Sequence, residues 1–394
     1  MSGGNRNSNS DKTKLIHLGR DSEASQGFVN PPLYRGSTVL FPTVRSMSEG
    51  GYGYWYGRKG SPTYDAFERA MNELEGAAET ILTPSGLSAI TTTLLGLLKA
   101  GDHILMTDSA YQPTRSFCDT TLKALNIETT YYDPRIGSGI AEMIRDNTAV
   151  IFMESPGSQS FEIQDIPAIV GAAEATRRAD ERQITTVIDN TWATPLRLKP
   201  LSLGVDVSIH SGTKYFIGHA DALIGTISAT ATSGAAIRKT AWSLGICAGP
   251  DDVQLALRGL RTLSVRLDAH EKAALELATW LEARDEVVAV LHPALPSHPD
   301  HDLFKRDFTG GTGLFSVILK PVDEAAVARF VDGLNLFAMG WSWGGYESLV
   351  IPFDPRSYRS ATKWPYEGPA LRFHVGHEDI DELKADLAAG FERL

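Results

Sequence analysis

The run Ser208-Ile209-His210-Ser211-Gly212-Thr213-Lys214-Tyr215 passes from apolar residues through small hydroxylated ones to a single lysine. As the carboxyl end of a sheet strand it would leave that lysine partly desolvated, and desolvation disfavours the ammonium form. An uncharged amine is a nucleophile that condenses with an aldehyde, so Lys214 is a candidate carrier of an aldehyde cofactor. Ser211 and Thr213 add two hydroxyls beside it that can bond a phosphate. A solvated lysine decorating a strand end is the competing explanation of the same run.

Asp189 closes the short β-branched run at 185–188, upstream of the lysine. A carboxylate there suits a protonated pyridine-type nitrogen, and a ring kept in that state is an electron sink for charge developing on a neighbouring carbon. An Asp capping the turn into Asn190-Thr191 is the plainer alternative. Thr83-Pro84-Ser85-Gly86-Leu87-Ser88 follows a short strand-like run and opens a helical stretch. Free backbone N–H groups at such a start can seat a phosphate; a turn with Ser85 or Ser88 as helix cap competes. Neither a G-x-G-x-x-G nor a G-x-x-x-x-G-K pattern is present, which removes the main support for dinucleotide and P-loop chemistry.

Tyr111 follows the strand-like run 102–107 and could stack on a planar ring, or sit as a rim tyrosine. Tyr56 and Arg58 offer a hydroxyl and a fork of donors for a phosphate, unless Arg58 is merely a surface arginine. Arg372 interrupts the apolar run Leu371-Arg372-Phe373-His374-Val375, where an arginine wants an anion: a substrate carboxylate held bidentately, or a structural acid. Before it, Ser342-Trp343-Gly344-Gly345-Tyr346-Glu347-Ser348-Leu349 is a glycine-flexed loop. His298 and His301 with Asp300 and Asp302, and His374 with His377, lack the spacing of a zinc site, so no metal is expected.

Bringing these residues together requires several strands ending on one side. Runs 149–153 and 185–188 flank a helical stretch at 166–178, a strand–helix–strand unit, and runs 205–209 and 223–228 continue the series. The expected class is α/β: a large, mostly parallel sheet with helices on both faces. Phe67, Ala70, Met71 and Leu74 recur at helical spacing before Gly76, which supplies a stop. A long helical pattern over 253–280 should bridge to a smaller C-terminal α/β domain. Residues 28–60, crowded with Pro, Gly and aromatics, read as an extended N-terminal arm that must cover its rings against another domain or subunit. The expected division is a tail and arm at 1–60, a large domain at 61–257 and a C-terminal domain at 258–394.

With 394 residues, 42% hydrophobic and 22% charged, the chain can bury two cores. A formal net charge of -11 excludes a general polyanion binder, so no nucleic-acid partner is expected. Two distant cysteines, Cys118 and Cys247, suggest neither a zinc site nor a redox motif and fit a reducing compartment. Residues 1–11 read as a floppy polar tail rather than a signal peptide, and the apolar region 81–98 is broken by Pro84, Ser85 and Gly86, so no membrane partner and a cytoplasmic location are expected.

Dispersed segments carry a resemblance over nearly the whole chain. They include Val29-Asn30-Pro31-Pro32, Tyr56-Gly57-Arg58, Glu154-Ser155-Pro156-Gly157-Ser158, Ile188-Asp189-Asn190-Thr191-Trp192, Thr213-Lys214-Tyr215, His292-Pro293-Ala294-Leu295-Pro296, Arg306-Asp307-Phe308-Thr309-Gly310 and the loop from Ser342. Together they resemble the cysteine and methionine metabolism family of fold-type-I pyridoxal-phosphate enzymes. The resemblance implies pyridoxal 5'-phosphate carried by Lys214, which also shuttles protons; Asp189 at the ring nitrogen; and Tyr111 stacked on the ring. It further implies Gly86, Leu87, Ser211 and Thr213 at the phosphate, joined by Tyr56 and Arg58 from a neighbouring subunit, with Tyr56 also near substrate. Arg372 would hold the substrate carboxylate, lined by Ser342 and Trp343, in a homotetramer of two catalytic dimers.

The activity implied is carbon–sulfur cleavage of a thioether amino acid. β-Cleavage of L-cystathionine to homocysteine, pyruvate and ammonia, in methionine biosynthesis, is favoured by the aromatic pair Trp341 and Trp343. A γ-lyase, γ-synthase or sulfhydrylase of the same family is the nearest alternative, and a non-catalytic binding protein on the same fold the more distant one. Trp341, His210 and Ser211 depart from the pattern familiar in the β-cleaving members.

Overall fold

The computed structural model describes residues 10–176 and 183–394. Residues 1–9 of the expected tail, and 177 and 178 of the expected helix, lie outside the described residues. Asp11, expected in the tail, instead opens a helix, Asp11–His17, because the Ser10 hydroxyl accepts the Thr13 N–H and Leu15 is buried against the helix Pro62–Glu75 and its neighbours.

Seven strands form the larger sheet: β1 (Glu79–Thr83), β2 (His103–Thr107), β3 (Glu128–Tyr132), β4 (Thr148–Glu154), β5 (Thr185–Asp189), β6 (Val207–Ser211) and β7 (Gly225–Ala229), in the order β1-β7-β6-β5-β4-β2-β3. Pairings among β3, β2, β4, β5 and β6 are parallel, and β7 runs antiparallel to both β6 and β1. Six strands therefore point the same way, and the carboxyl ends of β1, β2, β4, β5 and β6 share one edge, where open α/β sheets place their ligands. The residues at or beyond those ends are Gly86, Tyr111, Glu154, Asp189 and Lys214.

The two sheet faces are apolar for the reason the sequence suggests: β-branched runs in parallel strands bury both sides. Helices Gly86–Leu97 and Ala231–Leu244 cover one face, and Ile166–Ala175 covers the other. The helix Pro62–Glu75 turns Phe67, Ala70, Met71 and Leu74 fully inward and ends at Gly76, whose φ of 71° suits glycine. Each large apolar side chain so buried contributes about 1.5–3 kcal/mol by leaving water.

The pattern expected as one helix over 253–280 is two, Pro250–Leu260 and Leu263–Glu282. The helical path breaks at Thr262 (φ -109°, ψ 4°), whose hydroxyl takes the Arg266 Nε–H instead. Beyond lies a five-stranded sheet: β8 (Val287–Leu291), β9 (Leu314–Leu319), β10 (Ala338–Met339), β11 (Leu349–Phe353) and β12 (Ala370–His374), ordered β10-β11-β12-β9-β8. Its central strand β12 carries Arg372. Leu314, Ile318 and Ala370 of this sheet share a core with Ile151, Met153 and Ile188 of the larger one, so the two are packed as one body around the strand ends. Residues 28–60 contain the short helices Val44–Ser48 and Gly57–Lys59 and an isolated bridge between Thr38 and Tyr56, and leave Phe28, Leu40, Tyr52 and Trp55 exposed. No helix among the described residues is long and apolar enough to cross a membrane.

Candidate active site

The turn after β6 brings Lys214 into the edge formed by the strand ends. Its Nζ donates to Ser342 Oγ at 2.7 Å and lies 5.5 Å from the Trp343 ring. Burial lowers the amine to about 8, with the nearby Arg372 charge acting in the same direction and Asp189 opposing both. The solvated-lysine alternative is therefore not what this chain folds into. Ser342 carries a backbone cost for the contact, with a φ of 82° that side chains other than glycine rarely adopt. Gly344 must be glycine on two counts: its φ is 87°, and a Cβ would stand 2.9 Å from the Lys214 carbonyl carbon.

The depressed amine has a kinetic signature. Only the uncharged form attacks an aldehyde, so uptake of pyridoxal phosphate by cofactor-stripped protein should rise with pH and level off above about 8. With an ordinary lysine the rate would keep rising for about two more pH units. Stopped-flow absorbance across the neutral and alkaline range separates the two profiles.

Asp189 ends β5 beside β6, with Ile209 as its register partner. Its Oδ1 accepts from the Thr191 N–H at 2.9 Å and the Thr191 hydroxyl at 2.5 Å, while Thr191 Oγ1 in turn accepts the Ser211 N–H at 2.8 Å. Asp189 thus caps the turn, and its carboxyl stands at the same strand-end edge as Lys214. Burial pushes the Asp189 carboxyl up, against the pull of the Thr191 bonds and the His210 and Lys214 charges. Such a carboxyl gains from a cation at close range.

The start of the helix Gly86–Leu97 meets the end of β6. Ser85 caps it, its Oγ accepting the Ser88 N–H at 3.1 Å and its carbonyl the Ala89 N–H at 3.0 Å, so the N–H groups of Gly86 and Leu87 remain for a ligand. A Cβ on Gly86 would fall 2.4 Å from the Ser211 Cβ, so only glycine lets the helix start abut that strand end. Thr213 is occupied otherwise: its hydroxyl donates to the Ile224 carbonyl and accepts the Ile224 N–H at 3.2 and 3.1 Å.

Arg372 Nη2 donates to the Ser342 carbonyl at 2.9 Å, and its Nε is buried without a partner. Burial lowers the guanidinium to about 10, and no carboxylate among the described residues forms an ion pair with it. Tyr111, half-exposed at the end of its loop, has its phenol raised by burial and by the Glu154–Asp189 carboxyl pair, against Arg372. Tyr56 and Arg58 stand apart: Tyr56 is exposed, and Arg58 Nη1 donates to the Trp242 carbonyl at 2.9 Å. Among the described residues neither bonds to Lys214, Asp189, Tyr111 or Arg372.

The residues fit pyridoxal phosphate by the orphaned Arg372 Nε, the Gly86 cradle and the nucleophilic donor set around Lys214. Sequence reasoning passed over several participants. Thr191 had a local signal, since Asp-x-Thr is a turn in which side chains bond two residues on. Glu154 and Glu75, the buried hydrogen-bond partner of His210, had none, because their partners are distant in the chain. No group of three or more His, Cys, Asp or Glu among the described residues is arranged to hold a metal ion.

The family model described as "Cys/Met metabolism PLP-dependent enzyme" matches residues 12–392. The chain is 43% identical to the cystathionine beta-lyase of Salmonella typhimurium over 393 residues, covering 97% of this chain and 98% of that one. It is 40% identical to the cystathionine beta-lyase of Escherichia coli over 393 residues, with the same coverage. Among solved structures, cystathionine gamma synthase from Xanthomonas oryzae pv. oryzae in complex with cystathionine superposes with a TM-score of 0.88 at 31% identity, covering 98% of both chains. The chain belongs to the family of pyridoxal-phosphate-dependent enzymes of cysteine and methionine metabolism.

Proposed function

We propose that the chain is a cystathionine β-lyase, converting L-cystathionine and water to homocysteine, pyruvate and ammonia as a step toward methionine. The observation that carries it is the poised Lys214 amine held on Ser342 beside an arginine with a free buried donor, in a chain 40–43% identical to cystathionine beta-lyases. Pyridoxal phosphate, when bound, supplies an electron-accepting ring that stabilises negative charge at the substrate Cα.

The chain's own residues do the rest. Arg372 binds the α-carboxylate through the Nε now lacking a partner, with Ser342 and Trp343 beside it, and so fixes which bond at Cα faces the ring. Lys214 takes the Cα proton at Nζ and returns a proton to the departing sulfur, with Ser342 Oγ as its hydrogen-bond partner in the resting protein. Asp189 would pair with the ring nitrogen and favour its protonated form, and Tyr111 would pack against the ring. Gly86, Leu87 and Ser211 would hold the phosphate end, with Thr213 beside them once its hydroxyl turns from the Ile224 carbonyl. β-Cleavage needs only the Cα proton removed, whereas γ-cleavage requires a second removal at Cβ; Trp341 and Trp343 favour the former. Chromatography of the products tests the choice: pyruvate with homocysteine is expected, and mainly 2-oxobutanoate with cysteine would make the chain a γ-lyase with the same cofactor.

The assembly we propose is a cytoplasmic homotetramer of two catalytic dimers, in which Tyr56 and Arg58 of a neighbouring copy complete each phosphate site. The division into residues 1–60, 61–257 and 258–394 belongs to the same proposal. Exposed Phe28, Tyr52 and Trp55 along the arm support it, as a lone subunit rarely leaves so much apolar surface wet. Arg58→Ala and Lys214→Ala proteins, each impaired alone, should regain activity when their subunits exchange, since some hybrid sites then hold both functional parts. Exchange without any recovery contradicts shared sites.

A further inference from the structure

Glu154 and Asp189 end neighbouring parallel strands and are register partners, so two carboxyl groups stand side by side at the strand-end edge. Two such groups do not both ionise without large cost. Their partners decide which one keeps the proton. Asp189 receives two bonds from Thr191 and faces the Lys214 and His210 charges. Glu154 receives one neutral donor, the Tyr111 backbone N–H, on Oε2 at 2.7 Å.

That bond links the end of β4 to the residue that opens the helix Gln112–Phe117. The Glu154 end is itself fixed, because Gln164 Nε2 donates to the Glu154 carbonyl at 2.9 Å and Gln164 Oε1 accepts the Tyr132 hydroxyl at 2.9 Å. A protonated carboxyl retains acceptor capacity, so it holds the Tyr111 N–H without adding a second negative charge beside Asp189. Burial and the Asp189 charge both push the Glu154 carboxyl well above the usual range, against the Tyr111 bond.

We propose that Glu154 is a positioning residue: as a neutral carboxyl it fixes the backbone of Tyr111, and so the ring that stacks on the cofactor, while leaving the negative charge of the pair on Asp189. The inference rests on the pyridoxal-phosphate role assigned to the site.

Glu154→Gln keeps a neutral acceptor of the same length, and Glu154→Met keeps the bulk without the acceptor. Visible circular dichroism of the bound cofactor reports how it stacks, and equilibrium dialysis reports its retention. Glu154→Met should weaken retention about tenfold and diminish the visible dichroic band, while Glu154→Gln restores both to within about threefold of the parent protein. Thermal melting shows whether each variant folds, and the Gln variant decides the matter if the Met variant does not. Impairment of Glu154→Gln as deep as that of Glu154→Met, or a Glu154→Gln that folds but loses the dichroic band, would overturn the proposal, as would an unaffected Glu154→Met. A parent protein that binds no pyridoxal phosphate would instead refute the cofactor assignment itself, a result distinguishable from all of these.

Discussion

Replacing Lys214 by Ala should lower turnover of L-cystathionine by at least about 10⁴-fold in kcat, because one amine serves as both the covalent attachment point and the proton carrier. The effect should fall mainly on chemistry rather than on cofactor binding. Gly86, Leu87, Asp189 and the Ser211 region keep their backbone geometry without the lysine side chain, so pyridoxal phosphate should still bind, non-covalently and with the absorbance of the free aldehyde. Within the protein the substitution removes the hydrogen bond from Lys214 Nζ to Ser342 Oγ at 2.7 Å. Since Ser342 sits in a left-handed conformation that such bonds sustain, some loosening of the 342–345 loop should accompany it. Rescue by added small primary amines would be slight but would confirm that the missing group is an amine. A variant retaining more than roughly a few per cent of the parent rate would contradict the role.

Arg372→Ala should cost about 100-fold in kcat/KM, from two sources that kinetics can separate. Removing the hold on the carboxylate raises KM. Misalignment at Cα lowers kcat, because a substrate free to rotate seldom presents its Cα–H bond to the ring. Arg372→Lys should recover little, since a lysine has no planar fork to reach both the Ser342 carbonyl and a carboxylate. The change also acts on Lys214. Arg372 is one of the influences that depress the amine, so its removal should raise the pH at which the free amine becomes uncharged, moving the pH profile of cofactor uptake by stripped protein upward from about 8. An unchanged profile with an unchanged KM would remove Arg372 from the site.

Much of this site is legible in the chain because its residues sit where local patterns change. Lys214, Asp189 and Tyr111 follow apolar runs that become strand ends, and Gly86 opens a helix behind a capping serine. Their convergence follows from six strands running the same way, which βαβ connections enforce. What could not be read from local patterns is what depends on distant pairing. The reversal of β7 is of this kind: it lets Gly225 face both Thr83 and Ser211, and a Cβ at Gly225 would strike the Ser85 carbonyl at 2.2 Å. The bond between Lys214 and Ser342 spans 128 residues and carries no periodic signature. The break at Thr262 was hidden because apolar spacing continues across it, while the backbone turns on a single threonine. Glu154 stands in a segment that carries the family resemblance, yet its partner Tyr111 is 43 residues away and bonds through its backbone, which side-chain identity does not announce.

Chemical fixation of the cofactor tests most directly whether Lys214 carries it. Borohydride reduction of the yellow holoenzyme, followed by proteolysis and peptide mass spectrometry, should find the pyridoxyl-phosphate mass on the peptide containing Ser211 to Tyr215, at Lys214. Labelling of that peptide alone, and its absence from Lys214→Ala protein, is the result expected. Stoichiometric label on a different lysine, such as Lys59 or Lys199, would contradict the assignment of Lys214 and with it the mechanism built on its amine.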